Sequence, residues 1–259
     1  MQTSRDSDIV FWVGCLGAAG AEHVMRQFMM SRSSAYERLR SLTHDGLLEH
    51  HAVLYGRPGM YTATLTALRW RNIAHLGVCR VRPGGFEHAW QVAQATVELH
   101  EAMPDWVVIS ERLLKSIESE TGELFASAQV GKVASQVMLH RPDLVLTSRK
   151  GIVVPIEIEL STKSASRLQR ICRGWARARH VNTVYYLAAP GPRGAVERAI
   201  TAARATDRVR VLSLDDIPQL AGELYAIEDQ LDEEDPRSAR REDENGSDRQ
   251  ESYETRRLS

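Results

Sequence analysis

The chain has 259 residues, 43% hydrophobic and 26% charged, with a formal net charge of -1: the balance of a globular protein with room for two domains. No apolar run approaches the roughly 20 residues of a membrane helix, and the start MQTSRDSDIVFW lacks the basic-then-apolar layout of a secretion signal. Cys15, Cys79 and Cys172 lie far apart without CxxC or Cys/His spacing, which argues against a disulfide framework or a zinc ribbon, so a reduced, cytoplasmic setting with no membrane partner is expected.

In chain order, residues 1–82 read as helix, helix, helix, hairpin. SDIVFWVGCLGAAG is an apolar helix closed by Gly20, AEHVMRQFM a second, and SRSSAYERLRSLTHDGLL a third with Ser31 as N-cap. In the third helix Ala35, Leu39 and Leu42 recur at helical spacing, leaving Arg32, Ser33, Tyr36, Arg40 and Thr43 largely on the opposite faces, with Arg32, Ser33, Ser34, Tyr36 and Arg40 as the candidates for a polar front. GLLEHHAVL, YGRPG and MYTATLTA then read as strand, turn and strand, with Arg57 at the tip. The pattern resembles a winged helix-turn-helix. That resemblance implies double-stranded DNA as partner, with the third helix in the major groove and Arg57 of the wing against the backbone. A homodimer would read paired half-sites, while a protein-docking role for the same module is the alternative.

Residues 83–227 change period. FEHAWQVAQATVELHEAM is a helix, DWVVIS a short strand and ERLLKSIESETG a helix leading into a Gly/Ala/Ser-rich stretch with no clear assignment. SQVMLHRPDLVLT, the turn SRKG and IVVPIEIEL read as a hairpin of adjacent strands. TKSASRLQRICRGWARARH is a helix with Leu168, Ile171, Cys172 and Trp175 on one stripe and Arg167, Arg170, Arg173 and Arg177 on the remainder, followed by strand TVYYLAA, helix RGAVERAITAARAT and strand RVRVLSL. The fold class expected is α/β, with a central mixed sheet behind the N-terminal module.

Strand alternation puts Glu157 and Glu159 on one face and Ile156, Ile158 and Leu160 on the other. Two carboxylates that close must be solvated, paired with Arg or bridged by a cation. No glycine loop suited to cradling phosphates occurs, so no nucleotide cofactor is expected.

RPDLVL, then IEIEL fourteen residues later, then a basic helix resembles the PD-(D/E)XK nuclease superfamily, and the layout from Met1 to Leu214 is similar to the replication-relaxation proteins of plasmids and mobile elements. The resemblance implies that Asp143 and Glu157 bind a divalent metal, Mg²⁺ or Mn²⁺, with helical Glu98 assisting. Where the superfamily carries a lysine two residues after the second acid, this chain has Glu159. Lys163, four residues further, is the candidate to supply the cation, with Glu159 as an extra ligand. Two functions stay open: a metal-dependent DNA endonuclease with an atypical site (Asp143, Glu157, Glu159, Lys163), or a non-catalytic regulator of a mobile element whose second domain is a degenerate nuclease scaffold or dimer interface. In both, Arg167, Arg170 and Arg177 would meet phosphates.

Residues 228–259 carry twelve acids and six arginines, net -6, leaving 22 acids against 27 bases before them, net +5. With almost no aliphatic residues, this stretch is expected to be a disordered tail that aids solubility or competes with DNA for the basic body.

Overall fold

The structure, a computed structural model, describes residues 3–234. Helix α1 (Ser4–Leu16) begins where the Thr3 hydroxyl accepts from the Asp6 amide, and it ends at Gly17. That is three residues before the expected stop: Gly17 has φ 105°, a conformation that only glycine adopts cheaply. The following Ala19–Gly20 form a two-residue strand, β1, and α2 spans Ala21–Gln27. Helix α3 (Arg32–His44) starts at Ser31, whose hydroxyl accepts from the Ser34 amide, and it buries Ala35, Leu39 and Leu42 as its spacing predicts. Arg32, Ser33, Ser34, Tyr36 and Arg40 are left exposed. Strands β2 (Leu48–His51) and β3 (Met60–Ala63) pair antiparallel, and β1 adds to the other edge of β3.

After α4 (Leu65–Trp70) and two short 3-10 turns, α5 (Phe86–Ala102) packs back on this N-terminal region. Gly20 permits the approach, since a Cβ there would lie 2.7 Å from Trp90 Cζ3. The His23 ring lies 4.5 Å from the Trp90 ring, tilted 59° to it. The boundary expected at 82/83 is therefore crossed by buried contacts and falls inside one compact unit, Met1–Ile217.

The central sheet uses β4 (Val107–Ser110), β7 (Leu144–Thr147), β8 (Val153–Glu159), β9 (Val184–Ala188) and β10 (Val209–Ser213) in the order β10-β9-β8-β7-β4. β8, β9 and β10 run parallel and β7 runs antiparallel to its neighbours β8 and β4, so the sheet is mixed, as expected for an α/β fold. Helix α6 (Glu111–Thr121) follows β4, while α7 (Ala165–Arg177) and α8 (Pro190–Ala203) make the crossovers β8 to β9 and β9 to β10. Leu168, Ile171, Cys172 and Trp175 of α7 join Val145 and Tyr186 in one core, and α5 lies against β4 and β8. Covered on both faces, β8 is buried from Val154 to Glu159.

The expected hairpin departs at Arg141–Pro142. Proline has no amide to donate and pushes the residue before it out of regular pairing, so the run breaks in two. Its second half is β7. Its first half, β6 (Gln136–His140), leaves the main sheet and pairs with β5 (Ala128–Val133), which is the Gly/Ala/Ser-rich stretch left unassigned by sequence. The second unit begins at Pro218 and is described by α9 (Ile217–Glu234), so residues 228–234 of the expected disordered tail are helical; the rest of that expectation lies outside the described residues. No helix among the described residues is long and apolar enough to cross a membrane.

Candidate active site

Register alone aligns the acids. β7 pairs with β8 as Leu144↔Ile156, which sets Asp143 across from Glu157, and with β4 as Ser110↔Leu144, which sets Glu111 across from Asp143. The Glu111 amide donates to the Asp143 carbonyl at 3.0 Å, and the Ile158 amide to Asp143 Oδ2 at 2.7 Å. Glu111, Asp143 and Glu157 thus form a row across three neighbouring strand ends. They line one cleft of about 830 Å³ together with Glu159, Lys163, Arg141, Arg167, His88 and His140.

Asp143, Glu157 and Glu159 each have a protein partner, and none of these is Arg, one of the pairings left open by sequence. Glu157, 3% exposed, accepts from Trp175 Nε1 at 3.1 Å and pairs with His140 Nε2 at 2.5 Å. Glu159, 2% exposed, has Lys163 Nζ 2.7 Å from Oε2. Asp143 Oδ1 pairs with His88 Nε2 at 2.9 Å. These pairings answer how two adjacent carboxylates coexist in a buried strand: the i,i+4 reach of Lys163 neutralises one, and a histidine from β6 with an indole from α7 stabilises the other.

The electrostatics follow. His88 is raised above its usual range, chiefly by its hydrogen bond to Asp143. Burial alone would lower His140, but the charge and hydrogen bond of Glu157 outweigh it and leave it raised. Burial lifts Glu159 against the opposing pull of Lys163, and burial with the Asp143 charge lifts Glu111.

Of the residues singled out by sequence, Asp143, Glu157, Glu159, Lys163 and Arg167 meet in this cleft; Glu98 does not. Its carboxylate takes a hydrogen bond from Gln94 and sits 3.7 Å from Arg26 Nη1, outside the cleft, where Glu111 stands beside Asp143 instead. The pairing of β4 with β7 was the signal that could have found it. Glu118 was also missed: buried, it accepts from the amides of Phe125, Ala126 and Ser127 and the Ser127 hydroxyl, and lies 3.3 Å from Arg141 Nε, which holds that arginine at the cleft. Arg57 is exposed but not free; it pairs with Glu87 at 2.7 Å and lies over the Phe86 ring. Arg170, Arg173 and Arg177 are exposed on α7.

No known protein family matches the chain. No curated protein matches it either. Among solved structures it aligns with protein VC1899 from Vibrio cholerae at a TM-score of 0.28 and 11% identity, over 86% of this chain and 56% of that one. The chain thus spans little more than half of that protein's length, and a likeness this slight bears no argument about fold or function.

Carboxylate oxygens of Asp143, Glu157 and Glu111 are the hard donors that Mg²⁺ or Mn²⁺ prefers, so the donor chemistry suits the metal that the superfamily resemblance implies. As they stand, no three His, Cys, Asp or Glu side chains among the described residues form a group that could hold a metal ion. At Glu157 both protein donors engage Oε1 rather than Oε2, whereas Asp143 has both oxygens engaged, Oδ1 by His88 and Oδ2 by the Ile158 amide.

Proposed function

We propose that this protein binds double-stranded DNA and hydrolyses its phosphodiester backbone at the cleft of Asp143, Glu157, Glu159 and Lys163, in the service of a mobile element's replication, transfer or regulation. One observation carries the reading: with no lysine two residues after the second acid, Lys163 brings its ammonium into the same cleft from the turn before α7, 2.7 Å from Glu159. A buried acid pair with a lysine and flanking arginines is the set that phosphoryl transfer needs, because charge develops on the phosphate oxygens as the nucleophile arrives. Asp143 and Glu157 would hold the divalent metal, whose chemistry is to acidify a bound water and neutralise the phosphate. Lys163 and Arg167 balance the phosphate charge, and Trp175 and His140 fix the Glu157 carboxylate so that one oxygen is oriented before substrate binds. Around the site, the exposed front of α3 (Arg32, Ser33, Ser34, Tyr36, Arg40) and Arg170 and Arg177 of α7 contact the duplex, and Arg57 joins them once phosphate competes with Glu87.

A second reading is favoured by the saturation of the site. With Asp143, Glu157 and Glu159 each engaged by a protein donor, the cleft is also what a degenerate scaffold looks like, and the protein would then be a DNA-binding regulator.

Plasmid DNA incubated with the protein and Mg²⁺ or Mn²⁺ separates the two. Nicking or cutting by wild type, lost in Asp143→Ala and Glu157→Gln and slowed on the order of 100-fold in Lys163→Ala, is the expected result. Band shifts without cleavage in either metal transfer the proposal to the regulator; no band shift sinks both.

A further inference from the structure

Beyond its root, the β5–β6 ribbon has no part in the site described so far. Its root belongs to the cleft, since Leu139 and His140 line the cleft wall, but residues 131–138 are all exposed, on both faces of the ribbon. A lone two-stranded ribbon is marginally stable in water, so this one is not maintained by its own packing. It also contains a turn in which two residues with side chains, Ala134 and Ser135, both take positive φ, 44° and 71°. Both central residues with φ above zero make the type I′ hairpin geometry, normally assigned to Asn-Gly.

Pairing fixes its faces. Val133 stands opposite Gln136 and Gly131 opposite Met138, which groups Val133, Gln136 and Met138 on one face, while Lys132 stands opposite Val137 on the other. Val133 is 60% exposed, Val137 44% and Met138 38%, so both faces of the ribbon present aliphatic side chains to solvent. Between Glu123 and Asp143 there is no acidic residue, while Lys132, His140 and Arg141 lie within that span. An exposed apolar ribbon with no negative charge, rooted in a cleft lined by Lys163, Arg141 and Arg167, complements a polyanion that carries apolar groups in a groove. Lys132 on the strand disfavours edge-to-edge pairing with another copy.

We infer that this ribbon enters the major groove of duplex DNA beside the cleft and reads A·T pairs, Gln136 hydrogen-bonding adenine and Val133 packing on the thymine methyl. This rests on the DNA-binding reading above and adds a second reading element to it. The dimensions suit: the major groove admits a two-stranded ribbon, glutamine matches the adenine edge, and an apolar side chain matches the only methyl group that the four bases display there. From the Val133–Gln136 pair to the root at His140 is roughly 14 Å of strand, so a ribbon seated in the groove keeps the backbone next to the cleft.

The test uses the full-length protein and fluorescently labelled alternating duplexes of about 20 base pairs: d(A-T), the same duplex with uracil for thymine, and d(G-C), titrated by anisotropy without metal. Wild type is expected to prefer d(A-T) over d(G-C) by about tenfold and to bind the uracil duplex more weakly than d(A-T), since that change removes only the major-groove methyl. Val133→Ala should erase the thymine-to-uracil difference and Gln136→Ala most of the A·T preference, with d(G-C) binding unchanged in both. All of these side chains are exposed, so melting temperatures should match wild type; should one variant melt early, the other still gives the ratio it was made to test. Equal binding of the three duplexes by wild type, or preferences unchanged in the variants, overturns the inference while leaving DNA binding intact. A dimer that dissociates in Val137→Asp, with no change in base preference, assigns the ribbon to a second copy and overturns it too. No binding to any duplex overturns the parent reading instead.

Discussion

Glu118 and His23 show what single buried polar residues do here. Glu118 accepts three backbone amides and the Ser127 hydroxyl and faces Arg141, so removing the carboxylate strands several buried donors at once. Glu118→Ala should cost roughly 3 kcal/mol or more in urea unfolding and, under the proposed function, should weaken cleavage by displacing Arg141. His23 is fully buried, accepts from the Gly20 amide through Nδ1, and is pushed down to about 4, by burial first and then by the neighbouring Arg26 charge. A histidine whose folded pKa lies below its unfolded value opposes protonation in the folded state. Its contribution is therefore fully present above pH 6.5 and is lost as the pH falls from there toward 4. The total amounts to about 3 kcal/mol. Histidine NMR titration should find His23 neutral down to the edge of acid unfolding; a midpoint near 6.5 would contradict the buried neutral ring. Neither residue drew notice in the sequence, because a lone Glu on a helix or a lone His beside an arginine is ordinarily solvated.

At the scale of elements, α7 is the most informative. Its apolar stripe of Leu168, Ile171, Cys172 and Trp175 was legible from spacing and is buried as a stripe should be. What spacing did not give is that Trp175 spends its indole N–H on Glu157, making a core residue part of the site. Arg167, Arg170, Arg173 and Arg177 remain at the surface. If three of them meet phosphate, Arg167→Gln, Arg170→Gln and Arg177→Gln together should reduce the slope of log affinity against log salt by about 3 and weaken binding to all sequences alike. An unchanged slope would return these arginines to the role of a solvated face. The strand hairpin was legible only in part: the alternation was read through Arg141–Pro142, where the chain in fact changes sheets, because periodicity reports which faces are apolar but not which strand is the neighbour.

For the whole molecule, the unit Met1–Ile217 joins the N-terminal helices to the sheet through His23, Gly20 and Trp90. A buried aromatic contact of this kind couples the two halves more firmly than the half-exposed bridges of Arg26 to Glu98 and Glu101, each worth under about 1 kcal/mol. Thermal unfolding should accordingly show one transition, with far-ultraviolet dichroism and tryptophan fluorescence coincident; two separated transitions would mean that residues 1–82 fold independently. Trp90→Ala, which empties that contact, should split the transition or lower it by about 3–5 kcal/mol.

Local pattern was enough for the third helix with its Ser31 cap, the buried strands, the basic helix α7 and the shared face of Glu157 and Glu159, all of which follow from periods of two and 3.6 and from capping chemistry. The sequence also singled out Asp143, Glu157, Glu159 and Lys163, which meet in one cleft. Only the tertiary structure decided that Glu111 rather than Glu98 completes the row of acids, that His88 and His140 hold it, and that β6 deserts the sheet for a ribbon with β5. The physical reason is that these choices depend on register and on contacts between residues far apart in the chain. Local pattern fixes which face a side chain occupies; strand pairing fixes what it meets there.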